Sequence, residues 1–291
     1  MTTLVRHIML VAGAAAVLIF TAASGVEAAC TDPAAPSVDW HLCDFGGKVV
    51  GGADLSQADL QFVMLNNAKL TGVNMSRANL SVANLVSSNL TGADLSHANL
   101  TLATLTGANL TSANLADANL SETGAQNANL SDAKLLRANL SKANLSGANF
   151  KNADLSNANL RNANLSDADL SGATLTGADL TGAFMEGVNL TGAVLENAKL
   201  PNTFMQNAKL QQANLNGADL SDADLREASL SDAKLTKARL RGAFLQYVDL
   251  SGADTREVYI LDDLHLFHVK LADTIWIFGR KCSSDSFEQC D

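Results

Sequence analysis

Two histidines near the carboxyl end are the side chains with the clearest potential for chemistry. His265 and His268 follow shortly after Asp262 and Asp263. Imidazole and carboxylate groups this close together could bind a metal ion or exchange protons with a substrate. The sequence contains no glycine-rich phosphate loop and no nucleophile-and-base arrangement that would accompany them in an active site. We therefore interpret them as surface residues of a terminal segment, and we expect no catalytic residue, metal site, cofactor or enzyme activity.

Four cysteines form the second group that could do chemistry: Cys30, Cys43, Cys282 and Cys290. They could form disulfides, or each pair could bind a metal. The metal interpretation is the weaker one, because no second close cysteine or histidine completes the usual four ligands. Four cysteines allow three disulfide pairings. Which pairing forms depends on the fold that places them.

The elements that must position these residues come from a repeat, in which nearly every fifth residue from Leu55 to Leu250 is leucine. A small residue lies two before each leucine and Asn or Asp lies one before it, as in Ala78-Asn79-Leu80. A period of five fits neither a helix nor a strand. The small residue and the leucine share one face of the chain, and the two polar residues that follow suit a turn. The pattern predicts a coil with short sides around a central column of leucines.

This run resembles the pentapeptide-repeat family, whose unit is A-(D/N)-L-x-x. The resemblance implies an all-β fold, a right-handed quadrilateral β-solenoid with four repeats in each coil. A coil of twenty residues has independent support, because Ala183–Gly187 recurs as Thr203–Asn207 and again as Ala243–Tyr247. Roughly twelve coils rising about 4.8 Å each would give a rod near 55 Å long.

The first 28 residues are predicted to form a secretory signal. Arg6 and His7 are basic, Ile8–Phe20 is apolar, and small residues lead to Ala28. This arrangement is typical of a cleaved signal peptide. Two alternatives are an uncleaved membrane anchor, which would be the chain's only link to a membrane, and a lipid attached at Cys30.

The rest of the chain divides into three segments. Residues 29–40 are predicted to be a lead-in and cap, 41–260 the solenoid, and 261–291 a terminal segment ending in a disulfide tail. In the last segment the pattern resumes one residue out of phase, which favours a final coil. A capping helix is the alternative, because some apolar residues there also have helical spacing.

The rod shape restricts the disulfide pairing and indicates a compartment. Two cysteines can be joined only when their Cα atoms lie within about 7 Å. The ends of an extended solenoid are tens of ångströms apart, so Cys30–Cys43 and Cys282–Cys290 is the compatible pairing. Disulfides together with a signal peptide indicate an oxidising compartment, and the expected location is periplasmic or secreted in a bacterium.

Charge argues against nucleic acid as a partner, because the formal net charge is −10. The best-known members of the resembled family modulate DNA gyrase by mimicking DNA. That role needs a cytosolic protein with an acidic face, whereas one predicted column mixes signs: Asp179, Lys199, Asp219 and Arg239. Gyrase modulation is therefore a disfavoured alternative.

Aromatic residues give the sharpest local feature. On a four-sided coil Phe184, Phe204 and Phe244 fall in one outward-facing column, with Tyr247 beside the last and Asp224 interrupting it. Grouped exposed aromatics suggest a surface for a protein partner or a second copy. The predicted function is a protein-interaction scaffold. The alternatives are a passive spacer in the cell envelope and, less favoured, a binder of glycans or small molecules.

Overall fold

Parallel β-bridges join each coil of the chain to the next. The structure is a computed structural model that describes residues 30–259, 267–276, 279–286 and 290. The predicted signal segment lies outside these residues, as do His265 and the two aspartates before it. Among the described residues each side of a coil contributes a single bridging residue rather than an extended strand, and none of them is helical. No described segment is a helix long and apolar enough to cross a bilayer.

Four ladders of bridges run along the molecule. Within residues 39–259 every bridge joins two residues twenty positions apart, as in Asp39↔Asp59, and the ladders begin at Asp39, Asp44, Val49 and Asp54. The twenty-residue coil inferred from the recurring sequence is therefore the repeat of the backbone pairing. Two residues twenty apart lie on the same side, one coil apart.

Backbone hydrogen bonding explains the five-residue unit. The leucine N–H donates to the next coil, as Leu60 N does to Asn79 O at 2.8 Å. The N–H of the residue before the leucine donates to the previous coil, as Asn79 N does to Ala58 O at 2.9 Å. The small residue closes the turn, with Ala58 N donating to Leu55 O at 3.2 Å. These bonds tie every coil to the coils above and below it.

Each turn places its second residue, two after the leucine, in the left-handed region. Gln57 has φ 61° and Asn67 has φ 57°. If the leucine is counted as the first of the four turn residues, this residue is the third. A left-handed residue at that position defines a type II turn, which favours Gly and Asn there. The frequent glycine and asparagine at this position follow from that requirement.

The core is a column of leucines lined by small residues. Leu60 and Ala58 are fully buried, and Phe150 is buried at a leucine position. Ala125 also occupies a leucine position, where the sequence predicts an under-filled core, and it is buried. A hydroxyl in a small-residue position is satisfied locally, since Thr123 Oγ1 donates to Leu120 O at 2.8 Å.

Aromatic packing covers the amino-terminal end of the column. Trp40 is buried and its ring lies 4.2 Å from that of Phe45, centroid to centroid. The indole Nε1 donates to Asp32 O at 3.2 Å. Large rings in the first coil thus shield the first leucines from water.

The carboxyl-terminal coil is displaced by one residue along the chain. Asp249 pairs with Lys270 and Asp254 with Ile275, which are steps of 21 residues rather than 20. The side chain of Thr274 is buried and its Oγ1 donates to Leu250 O at 2.7 Å. An antiparallel bridge then joins Ile275 to Lys281.

Candidate interaction surface

Two phenylalanine rings form a flat exposed surface on one side of the solenoid. Phe184 and Phe204 are bridging partners on adjacent coils, and their rings stack with centroids 5.1 Å apart and planes 7° apart. Their side chains are 48% and 45% exposed. We call the bridge ladder that contains them, from Asp44 to Phe244, the phenylalanine ladder.

The fold gives no reason for phenylalanine at these positions. In this ladder Asn164 Oδ1 accepts a hydrogen bond from Ser166 N at 3.1 Å, and Asn or Asp makes the same bond in many other units. This bond satisfies the one turn N–H that the backbone pairing leaves over. A phenylalanine ring offers no such acceptor. Its presence therefore forfeits a local hydrogen bond and exposes apolar surface.

Asp224 separates Phe204 from Phe244 in the ladder, and its charge is neutralised. Arg226 Nε donates to Asp224 Oδ1 at 2.8 Å, and Gln206 Nε2 donates to Oδ2 at 2.5 Å. Partial burial raises the pKa of Asp224, but the hydrogen bonds and charge of Arg226 outweigh burial and hold that pKa below its usual value. The interruption between the phenylalanines is thus an ion pair rather than a bare carboxylate.

Phe244 and Tyr247 lie apart from the stack. Phe244 is 44% exposed and lies two coils beyond Phe204. Tyr247 occupies the next corner, is 56% exposed, and stacks on His268 with centroids 5.2 Å apart. Phe267 meets the same tyrosine ring edge-on at 5.7 Å. The four predicted residues therefore form a stacked pair, a single ring and a separate terminal aromatic cluster.

A second apolar group was missed at the sequence level. Four large apolar residues lie twenty apart at the left-handed turn position of the first coils. We call this column the amino-terminal ridge, and it consists of Leu42, Phe62, Val82 and Leu102. Sorting the sequence at a period of twenty, rather than five, would have revealed it.

The cysteines lie at the two ends of the described chain and are joined in disulfides. Cys30 bonds to Cys43 with Cα atoms 5.5 Å apart, and Cys282 bonds to Cys290 with Cα atoms 4.8 Å apart. Within the described residues no three His, Cys, Asp or Glu side chains gather as metal ligands.

Charged side chains on the surface are paired between coils. Arg137 contacts Asp117 through two hydrogen bonds of 2.7 and 2.6 Å, and this contact holds the pKa of Asp117 below its usual value. Arg161 pairs with Asp179 at 3.1 Å. At these positions a cation from the next or previous coil lies beside an acidic side chain.

Comparison with known proteins places this geometry in a family. A family model described as pentapeptide repeats matches eight copies between residues 53 and 254. Comparison with curated proteins gives no match. Solved structures that are similar to this chain include three proteins.

The first is HetL, a pentapeptide repeat protein involved in heterocyst differentiation regulation in the cyanobacterium Nostoc sp. strain PCC 7120. It is 31% identical over 84% of this chain and 92% of its own, with a TM-score of 0.33. A pentapeptide repeat protein of the Arabidopsis thaliana thylakoid lumen is 37% identical over 34% of this chain and 65% of its own, with a TM-score of 0.20.

The third is QnrB1, a plasmid-mediated fluoroquinolone resistance protein. It is 17% identical over 75% of this chain and 94% of its own, with a TM-score of 0.38. The family-model match agrees with the five-residue unit and the four bridge ladders. The chain belongs to the pentapeptide-repeat family, and its fold is a right-handed β-solenoid.

Proposed function

We propose that this protein is an exported, non-catalytic scaffold that binds protein through the exposed rings of Phe184 and Phe204. The observation that carries the proposal is the parallel stacking of these rings, 5.1 Å between centroids, at positions where Asn or Asp would serve the fold better. Aromatic residues are enriched among those that dominate binding energy at protein interfaces. Two rings held parallel by the backbone ladder form a rigid contact surface that loses little entropy on binding.

Family membership supports a binding role rather than catalysis. Pentapeptide-repeat proteins are in general structural or interaction proteins. The regular solenoid keeps its side chains in flat columns, whereas active sites usually occupy concave pockets. The proposed surface is flat and partly apolar, which suits a folded protein partner.

Export is supported by the cysteines. Disulfides at each end of the described chain form and persist in oxidising compartments. The apolar segment before Cys30 has the composition of a signal peptide. Both features fit a periplasmic or secreted bacterial protein.

Photo-crosslinking in the native host tests the proposal. A photoreactive residue replaces Phe204, and a second variant carries it at Asn109, which lies on another ladder. The proposal expects an adduct, with another protein or with a second copy, from position 204 alone. No adduct at 204, or the same adducts at both positions, would contradict it and favour a passive spacer.

A further inference from the structure

The amino-terminal ridge combines two features that are unfavourable in an isolated molecule. Leu42 is 67% exposed and Leu102 is 51% exposed. Val82 has φ 60° and Phe62 has φ 56°, in the left-handed region where β-branched and bulky residues are disfavoured. Elsewhere the same turn position holds mostly glycine, asparagine or charged residues. Phe62 and Val82 are half-buried, whereas Leu42 and Leu102 leave apolar surface in water, so the ridge is exposed chiefly at its two ends.

The ridge borders the phenylalanine ladder. Each ridge residue comes two positions before a member of that ladder, as Leu42 precedes Asp44 and Phe62 precedes Met64. Farther along the same edge, the equivalent turn residue before Phe184 is Gly182. The ridge and the phenylalanines therefore lie along one side of the rod, the ridge towards the amino-terminal end and the rings towards the other.

The surface between the two apolar groups carries no charge along the ladder. From Met64 to Phe204 its residues are Met64, Asn84, Thr104, Gly124, Asn144, Asn164, Phe184 and Phe204. On the bordering edge Lys142 pairs with Glu122 at 3.3 Å. Charge lies beside the ladder rather than on it, since Glu186 and Asp222 are exposed on its two edges.

The two apolar groups also match in length. Leu42 to Leu102 spans three intervals of twenty residues, and Phe184 to Phe244 spans three as well. Both are therefore about 14 Å long at roughly 4.8 Å for each coil. Asn144 lies midway between them on the ladder.

We propose that two copies of this chain pack side by side and antiparallel, with the amino-terminal ridge of each against the phenylalanines of the other. The two-fold axis passes near Asn144, so that Leu102 faces Phe184 of the second copy and Val82 faces its Phe204. A two-fold interface is self-complementary, and one contact therefore occurs twice. This inference rests on the proposed function and names a second copy as the partner of that surface.

The interruption at Asp224 fits the same arrangement. In this pairing Phe62 lies opposite Asp224 of the second copy, whose carboxylate is already held by Arg226. A guanidinium plane packs well on an aromatic ring, so the ion pair can pack on the part of the half-buried Phe62 that faces solvent. A contact between the phenylalanines of the two copies alone would leave Leu42 and Leu102 of each copy exposed.

Sedimentation equilibrium of the purified, oxidised protein tests the proposal. Two variants introduce the residue that the fold favours at each position, Val82→Asn on the ridge and Phe204→Asn on the ladder. His97→Asn, at an equivalent left-handed turn position on another edge, is the matched control. We expect a wild-type dimer, at least tenfold weaker dimerisation for V82N and F204N, and no change for H97N.

Mixing the two variants gives the decisive result. A heterodimer of V82N with F204N keeps one intact contact, between the ridge of the F204N copy and the rings of the V82N copy. The mixture should therefore dimerise more strongly than either variant alone. A monomeric wild type would overturn this inference but leave adduct formation with another protein at position 204 possible. If F204N failed to dimerise while V82N dimerised as strongly as the wild type, the antiparallel pairing would be overturned. The phenylalanine surface would still be the dimer contact.

Discussion

Asn159 donates a hydrogen bond from Nδ2 to Oδ1 of Asn139, one coil earlier, at 2.9 Å. Asn139 in turn donates to Asn119 Oδ1 at 3.0 Å. The same Oδ1 of Asn139 accepts from the backbone N–H of Ser141 at 3.2 Å. Each asparagine of this column thus completes its own turn and links neighbouring coils.

The asparagine column should contribute to stability. Asn139→Ala removes an acceptor shared by Ser141 and Asn159, and we expect it to lower the free energy of unfolding by about 1–3 kcal/mol. Denaturant unfolding followed by circular dichroism measures the change. Lys199→Ala, at an exposed position of the same ladder, is the control and should change stability by less than about 0.5 kcal/mol. Equal effects for the two variants would contradict a role for the asparagine contacts.

Phe244 should be suboptimal for the stability of the solenoid. Phe244→Asn supplies an acceptor for the N–H of Gln246 and removes an exposed ring. We expect the free energy of unfolding to rise by about 0.5–1.5 kcal/mol, the usual contribution of one hydrogen bond. Thermal unfolding of dilute protein tests this expectation. A lower melting temperature would show that the ring is needed for folding rather than for binding.

Val82 should strain its turn. A β-branched residue at φ 60° is disfavoured, so Val82→Asn should raise the free energy of unfolding of dilute protein by about 1 kcal/mol. The reciprocal change, Asn157→Val at φ 56°, should lower it by a similar amount. A higher free energy of unfolding for Val82→Asn and a lower one for Asn157→Val would support the proposed strain. A loss of stability in both variants would mean that Val82 packs favourably in the isolated chain.

Asp224 should contribute to the acid dependence of stability. Its pKa is lower in the folded protein, where the favourable contacts of Arg226 exceed the effect of burial. The stabilisation is therefore complete above the unfolded pKa, about 3.9, and is lost as pH falls through the folded value. Urea unfolding between pH 2 and 6 measures it. Asp224→Asn should lose less stability than the wild type over that range, and parallel pH profiles would rule out this contribution.

The regular part of the fold could be predicted from sequence because one physical requirement recurs in every unit. Leucine and the small residue before it must be buried, and each turn must redirect the chain by a quarter of a coil within five residues. The recurrence of Ala183–Gly187 as Thr203–Asn207 added the twenty-residue coil, which places Phe184 beside Phe204. The hydrogen bond that Ser166 N donates to Asn164 Oδ1 was less visible, because it depends on the direction of one carboxamide oxygen.

The amino-terminal ridge was harder to predict because it violates the local rule for a turn. A reading of single repeats treats the residue two after leucine as polar, so Leu42 and Val82 pass as isolated exceptions. Their alignment exists only between coils. The contact of Tyr247 with Phe267 and His268 was also hidden, since those two residues follow the segment in which the regular pattern fails.

The four bridge ladders also govern how such a protein can change in length during evolution. Every coil pairs only with its neighbours, so recombination that duplicates or deletes twenty residues would preserve the side on which each later residue lies. An event of five residues would instead rotate the whole downstream surface by one side. It would separate the ridge from the phenylalanine ladder while leaving the leucine column intact. Selection on surface function would therefore act on genetic steps of twenty residues, whereas selection on folding alone would tolerate steps of five.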